Sequence, residues 1–137
     1  MIRKAPVSTI MTHNVVSLKK EDNLEDAEYL FKKYHIRHIP ITSGNAIIGM
    51  LSKTDLLRIG LLDGEDHDDL NTLVRTNLSI EHVMTKELIC VSSSTPVRIV
   101  AEILAKEEFH ALPVVDNNRL VGIVTTTDLI NYLINQF

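Results

Sequence analysis

The chain has 137 residues, 45% of them apolar and 23% charged, with a formal charge of −4, no tryptophan, three Tyr and three Phe. This composition suits one ordinary buried core shared by the whole chain and lacks the basic stripe and stacking platform of nucleic-acid binding, so no direct nucleic-acid partner is expected. The lone Cys90 excludes an internal disulfide, Met1 to Met11 lacks the apolar run of a signal peptide, and no stretch is apolar enough to span a membrane, so the expected compartment is the cytoplasm.

The first segment, Ser8-Thr9-Ile10-Met11-Thr12, reads as a short turn, followed by a strand-like apolar run at Val15-Val16-Ser17-Leu18. Asp22 or Asn23 then caps a helix whose Leu24, Ala27, Leu30, Phe31 and Tyr34 recur at three- and four-residue spacings. His38-Ile39-Pro40-Ile41 and Ala46 to Leu51 form two strands of a hairpin around Ser43-Gly44-Asn45. A second helix is expected from Thr54 to about Leu62. Asp63 to Ser79, acidic at its start, reads as a linking loop with one helical turn. The same grammar then returns. Met84-Thr85 opens it, Leu88-Ile89-Cys90-Val91 is the strand, and Thr95 with Pro96 starts a helix bearing Val97, Val100, Ile103 and Leu104. Ala111 to Val115 and Leu120 to Val124 make the hairpin around Asp116-Asn117-Asn118, and Thr127 to Phe137 is the closing helix.

The recurrence is residue by residue. Met11, Thr12, Pro40, Asn45, Gly49, Thr54, Asp55 and Leu56 return without a gap as Met84, Thr85, Pro113, Asn118, Gly122, Thr127, Asp128 and Leu129. Two copies of one strand-helix-strand-strand-helix unit account for this, with boundaries at 1–62 and 80–137 and a linker at 63–79. Ser52 with Asp55, and Thr125 with Asp128, have the spacing of a helix capping box. The same groups also suit a phosphate at the helix start and a ribose diol on the carboxylate. Spacing alone leaves both readings open.

Ile10-Met11-Thr12, the strands Ile39-Pro40-Ile41 and Leu112-Pro113-Val114, and the closing runs Gly49 to Asp55 and Gly122 to Asp128 resemble a tandem pair of cystathionine β-synthase (CBS) domains over nearly the whole chain. The resemblance implies an α+β fold of two pseudo-symmetric repeats packed through their sheets into one module, free-standing here. It further implies a regulatory module that binds AMP, ADP, ATP (with or without magnesium) or a related adenosyl compound in clefts between the repeats and signals to an effector protein. By motif match, one cleft would use Thr125, Asp128, His110 and Ile123 with Thr12 and Ile36. The other would use Ser52, Asp55, Arg37, His38 and Met50 with Thr85 and Phe109. Arg37, His38 and Lys53 make the Asp55 site the more positive, so it should tolerate more phosphate charge.

The remaining candidates are weaker. The acidic run Asp63 to Asp69 with His67 could hold a divalent cation but has the composition of a solvated loop. His13, His35 and His82 are expected at the surface, and Cys90 as a buried, inert thiol. No catalytic constellation stands outside the repeat motifs, so no enzyme is expected. The closing helices are apolar on more than one face, which points to a homodimer. The alternative function is a dimerisation or docking module that binds no ligand.

Overall fold

The computed structural model describes residues 5–59 and 78–137. It is a mixed α+β fold with two repeats, as the sequence implies. Its two compact units are Val16–Glu87, here the Asp55 unit, and Met1–Val15 with Leu88–Phe137, here the Asp128 unit. Each unit therefore takes its opening Met-Thr segment from the other sequence repeat.

In the Asp55 unit, β1 (Leu18–Lys19) lies parallel to β2 (His38–Ser43), which pairs antiparallel with β3 (Ala46–Ser52). Thr85 adds a further antiparallel bridge to Met50 on the outer side of β3. The turn between β2 and β3 needs a residue at positive φ, and Gly44 takes φ 62 without penalty. Between β1 and β2 runs α1 (Leu24–Tyr34). Asn23 caps it by accepting from the Asp26 N–H, and the Asp26 carboxylate accepts from the Asn23 N–H in return. Leu24, Ala27 and Phe31 bury its inner face. Among the described residues two short helices follow, α2 (Lys53–Arg58) and α3 (Ile80–Val83), and both pack on β3.

The Asp128 unit repeats this plan. After α4 (Val97–Lys106), β4 (Ala111–Asp116) pairs antiparallel with β5 (Arg119–Thr125), and α5 (Thr126–Ile134) closes the unit. Val91 bridges Val114 in parallel on one side, and Thr12 bridges Ile123 on the other. Asn117 and Asn118 carry the hairpin turn at φ 51 and 64, the left-handed pair that a tight hairpin requires. The Ala5 to Thr12 segment is tied in by Val97 N–H to Ala5 O at 2.8 Å and Val7 N–H to Thr95 O at 2.7 Å. Val7 is completely buried.

Several local expectations are corrected. The run at Val15 to Leu18 forms ladder only from Leu18 onward, and Leu88 to Val91 makes only the Val91 bridge, because Leu18 and Val91 alone in these runs are buried. Side chains alternate along an extended chain, so Cys90, next to inward Val91, is exposed rather than buried. Partial burial still pushes its thiol pKa up. Thr95 does not cap α4. Its hydroxyl accepts from Ser92 N–H, and Pro96 takes the cap position without a side-chain bond. Among the described residues, two clusters of buried apolar side chains stand out, one in each unit. The borrowed segments explain this: Ile80 and Met84 complete one cluster, and Val7 and Met11 the other.

Candidate functional site

Both closing motifs fold into a strand-to-helix corner. In the Asp55 unit, Ser52 N–H donates to Asp55 Oδ2 at 2.9 Å while Asp55 N–H donates to Ser52 Oγ at 3.0 Å. In the Asp128 unit the matching distances are 2.9 Å to Asp128 Oδ2 and 3.1 Å to Thr125 Oγ1. The capping boxes are therefore formed in both copies, and each carboxylate spends one oxygen on its own helix. All four side chains are half-buried, whereas Asn23 and Asp26, in a similar box at the start of α1, are exposed. A half-buried carboxylate beside a helix start is better placed to meet a solute than to be lost in bulk solvent.

The flanking residues converge on the same corners. Lys53 N–H donates to Arg37 O at 2.9 Å, and Thr126 N–H to His110 O at 2.9 Å, so Arg37 and His110 each stand against the first residue of the closing helix. His38 pairs in register with Ser52. Met50 N–H to Thr85 O is 2.9 Å and Thr85 N–H to Met50 O is 2.8 Å; for Thr12 and Ile123 the two bonds are 2.8 and 3.1 Å. The side chains of Met50 and Ile123 are buried, and those of Thr12, Thr85, Arg37 and His110 are exposed.

The structure thus brings Arg37, His38, Met50, Ser52, Asp55 and Thr85 together in one unit, and Thr12, His110, Ile123, Thr125 and Asp128 in the other. Ile36 belongs to the Asp55 unit and Phe109 to the Asp128 unit, each packed against its own unit's core and each in the unit opposite to the site for which its motif match named it.

One neighbour went unnoticed in the sequence. Arg58 Nη1 lies 3.6 Å from Asp55 Oδ1, so both oxygens of that carboxylate have partners. Its counterpart in the repeat is Asn131, and among the described residues Asp128 makes no ion pair. The i, i+3 spacing of Asp55 and Arg58 was the available signal. Among the described residues no group of three or more His, Cys, Asp or Glu could hold a metal ion. The acidic run from Asp63 to Asp69 lies outside the described residues. No described helix is long and apolar enough to cross a membrane.

The fold matches solved structures over most of its length. The AcuB protein of Vibrio cholerae is 27% identical, with a TM-score of 0.80 over 96% of this chain and 92% of that one. Protein MJ0100, whose CBS domain pair was solved with 5-methylthioadenosine and S-adenosyl-L-methionine, is 24% identical with a TM-score of 0.80 over 97% of this chain and 98% of that one. Among curated proteins, protein MJ1225 of Methanocaldococcus jannaschii is 26% identical over 92% of this chain, and CBS domain-containing protein YhcV of Bacillus subtilis 26% over 95%. The chain spans 87% of YhcV but 46% of MJ1225 and 23% of a homoserine O-acetyltransferase of Methanocorpusculum labreanum. A model of the CBS domain matches twice, at residues 7–61 and 80–135, so the chain belongs to the CBS domain family as a tandem pair.

Proposed function

We propose that this CBS pair is a regulatory module, not an enzyme, that senses adenosine nucleotides or related adenosyl compounds and passes the signal to a partner protein. The observation that carries the reading is the pair of half-buried Ser/Thr-x-x-Asp corners, built alike in both units and flanked by Arg37 or His110. At each corner the helix start and hydroxyl favour a phosphate, and the carboxylate favours a ribose diol. The solved relatives agree in ligand class: the MJ0100 pair holds adenosyl compounds, and CBSX2, 23% identical, was solved with AMP. Binding at the Asp55 corner uses Ser52, Asp55, Arg37, His38, Met50 and Thr85, where Arg37 and Lys53 favour the more highly phosphorylated ligands, with or without magnesium. Binding at the Asp128 corner uses Thr12, His110, Ile123, Thr125 and Asp128. Ile36 and Phe109 enter this reading through the motif match alone.

The reading includes a homodimer in the cytoplasm. Ile130, Leu133, Ile134 and Phe137 line one exposed stripe of α5 and its C-terminal end, 52, 55, 62 and 103% exposed. A run at i, i+3, i+4 and i+7 that stays in water is suited to a second copy.

Thermal unfolding with AMP, ADP, ATP, S-adenosylmethionine and 5-methylthioadenosine tests the reading. A ligand at about a hundred times its Kd adds roughly 2.7 kcal/mol, which raises Tm by on the order of 5 to 10 °C for a chain of this size. No shift with any of the five at millimolar concentration would leave the ligand-free docking module in its place.

A further inference from the structure

Four capping boxes are formed among the described residues, and in three of them the residue that reaches back is an aspartate. The fourth, on α3, uses His82. Ser79 N–H donates to His82 Nδ1 at 3.1 Å, Ser79 Oγ lies 3.0 Å from the same nitrogen, and His82 N–H donates to Ser79 Oγ at 3.3 Å. A backbone N–H can only donate, so in this contact Nδ1 offers its lone pair to Ser79 N–H, while its contact with Ser79 Oγ can run in either direction. A proton on Nδ1 sets N–H against the Ser79 N–H, so that bond is lost and Ser79 Oγ is the acceptor left to that nitrogen within the cap. Imidazole is the side chain whose charge changes between about pH 5 and 8.

What this cap holds is the outer edge of β3. Ile80, the first residue of α3, is completely buried. Met84 N–H donates to Ile80 O at 2.9 Å, and the Met84 side chain lies over Gly49. Thr85, next along, makes both backbone bonds to Met50. The element on which α3 packs, β3, holds no ionisable side chain from Ala46 to Ser52. The ionisable groups on α3 and just beyond it are Glu81, Lys86 and Glu87, and among the described residues none forms an ion pair with His82. The other repeat has no equivalent. Its matching positions are Pro6, which caps without a side-chain bond, and Thr9, whose hydroxyl donates to Pro6 O at 2.7 Å; neither takes up a proton in this range.

We propose that His82 is a proton-operated latch on the Thr85 edge of the Asp55 unit: neutral, it fastens α3 and the Met84-Thr85 segment to β3, and protonated, it lets them go, while the Thr12 edge of the other unit is unaffected. The inference needs no ligand and stands apart from the adenosyl reading.

Solution NMR on the full chain tests it. At pH 8 the His82 ring should show the Nε2–H tautomer. Between pH 8 and 5.5, corrected for intrinsic exchange rates, the Met50 and Thr85 amides should lose protection by about threefold to tenfold, the loss expected for one cap, while Thr12 and Ile123 hold theirs. His82→Gln, whose amide oxygen accepts at any of these pH values, should keep Met50 and Thr85 protected throughout. An Nδ1–H tautomer at pH 8, unchanged protection in the native chain, or a His82→Gln variant that loses protection at pH 5.5 or at both pH values would each overturn the latch.

Discussion

Gly49 and Gly122 occupy matched positions and neither takes a positive φ, so alanine fits the backbone at both and any difference in cost must come from what its Cβ meets. At Gly122 a Cβ would stand 2.9 Å from Thr12 O and 2.6 Å from Met11 Sδ. The carbonyl belongs to the segment that Thr12 pins to Ile123, so relief requires that edge to lift and its two backbone bonds to weaken. Two such bonds are worth about 1–3 kcal/mol together, and the extra methyl costs about 1–3 kcal/mol of overpacking, offset by about 0.4–1 kcal/mol from a stiffer unfolded chain. The net loss for Gly122→Ala then spans about 1–5.5 kcal/mol, centred at about 3 kcal/mol. At Gly49 the three atoms nearest the Cβ all belong to the side chain of Met84, with Cγ at 2.9 Å and Sδ nearer still. An unbranched thioether has three rotatable bonds with which to move aside, so Gly49→Ala should cost about 1 kcal/mol. Differential scanning calorimetry should place Gly122→Ala below Gly49→Ala by on the order of 5 to 10 °C. A double-mutant cycle sharpens the test. In a Met84→Ala background the Gly49→Ala penalty should vanish, whereas in a Met11→Ala background part of the Gly122→Ala penalty should persist, because the Thr12 carbonyl remains. Equal losses at the two glycines, or complete rescue at Gly122 by Met11→Ala, would refute the backbone clash as the cause.

Asp128→Asn leaves an oxygen to accept the Thr125 N–H and should cost about 1 kcal/mol of stability or less, while calorimetric binding at that corner should fall far more; parallel losses would assign Asp128 to the cap alone. Asp116 accepts from Ser93 Oγ at 2.6 Å and Ser93 N–H at 3.0 Å, and these bonds, the hydroxyl first, hold its carboxyl below its ordinary value of 3.8. With the folded value depressed, the stabilisation is present above about pH 4 and disappears as pH falls through the folded value, so in urea titrations Asp116→Asn should be less stable than the native chain at pH 6 and converge with it near pH 2. Leu133→Glu, on the exposed stripe of α5, should lower Tm by no more than the lost association contributed, and light scattering should read a single-chain mass of 15.4 kDa where the native chain reads twice that; a native chain already at 15.4 kDa would remove the dimer.

Much of this was legible because it is local. The cap at Asn23, the hairpins around Gly44 and Asn117-Asn118, and the boxes at Ser52 and Thr125 follow from residues within a few positions of one another. The partner of each opening segment was not legible locally. Thr12 pairs with Ile123 rather than with its own repeat's Met50, and periodicity carries no information about which of two similar hairpins an extended segment joins. The shortness of β1 escaped for a related reason: Val15 and Val16 have strand propensity, but propensity forms no ladder without a neighbouring strand in register. The sequence places His82 at the surface, and it is exposed, but it also accepts a backbone hydrogen bond that hydropathy does not register. The Arg58 ion pair has no repeat counterpart, since Asn131 is neutral, so residues common to the two copies carry no signal of this difference between the corners.

The exchanged segments also account for why the pattern comes in twos. Met11 and Gly49 recur together as Met84 and Gly122, yet in space Met84 covers Gly49 and Met11 covers Gly122. The methionine of one repeat thus fills the space left by the missing Cβ of the other, and its burial, to 8% exposure for Met11 and 9% for Met84, depends on that repeat being present. A single copy would leave its methionine in water and a notch above its glycine, a loss of about 1.5–3 kcal/mol for each side chain. It would also lack the edge that Thr12 or Thr85 adds to the hairpin. Two copies are the smallest number that can satisfy both demands within one chain, and the capped corners at Asp55 and Asp128 inherit that pairing, because Thr85 and Thr12 beside them are supplied by the opposite repeat.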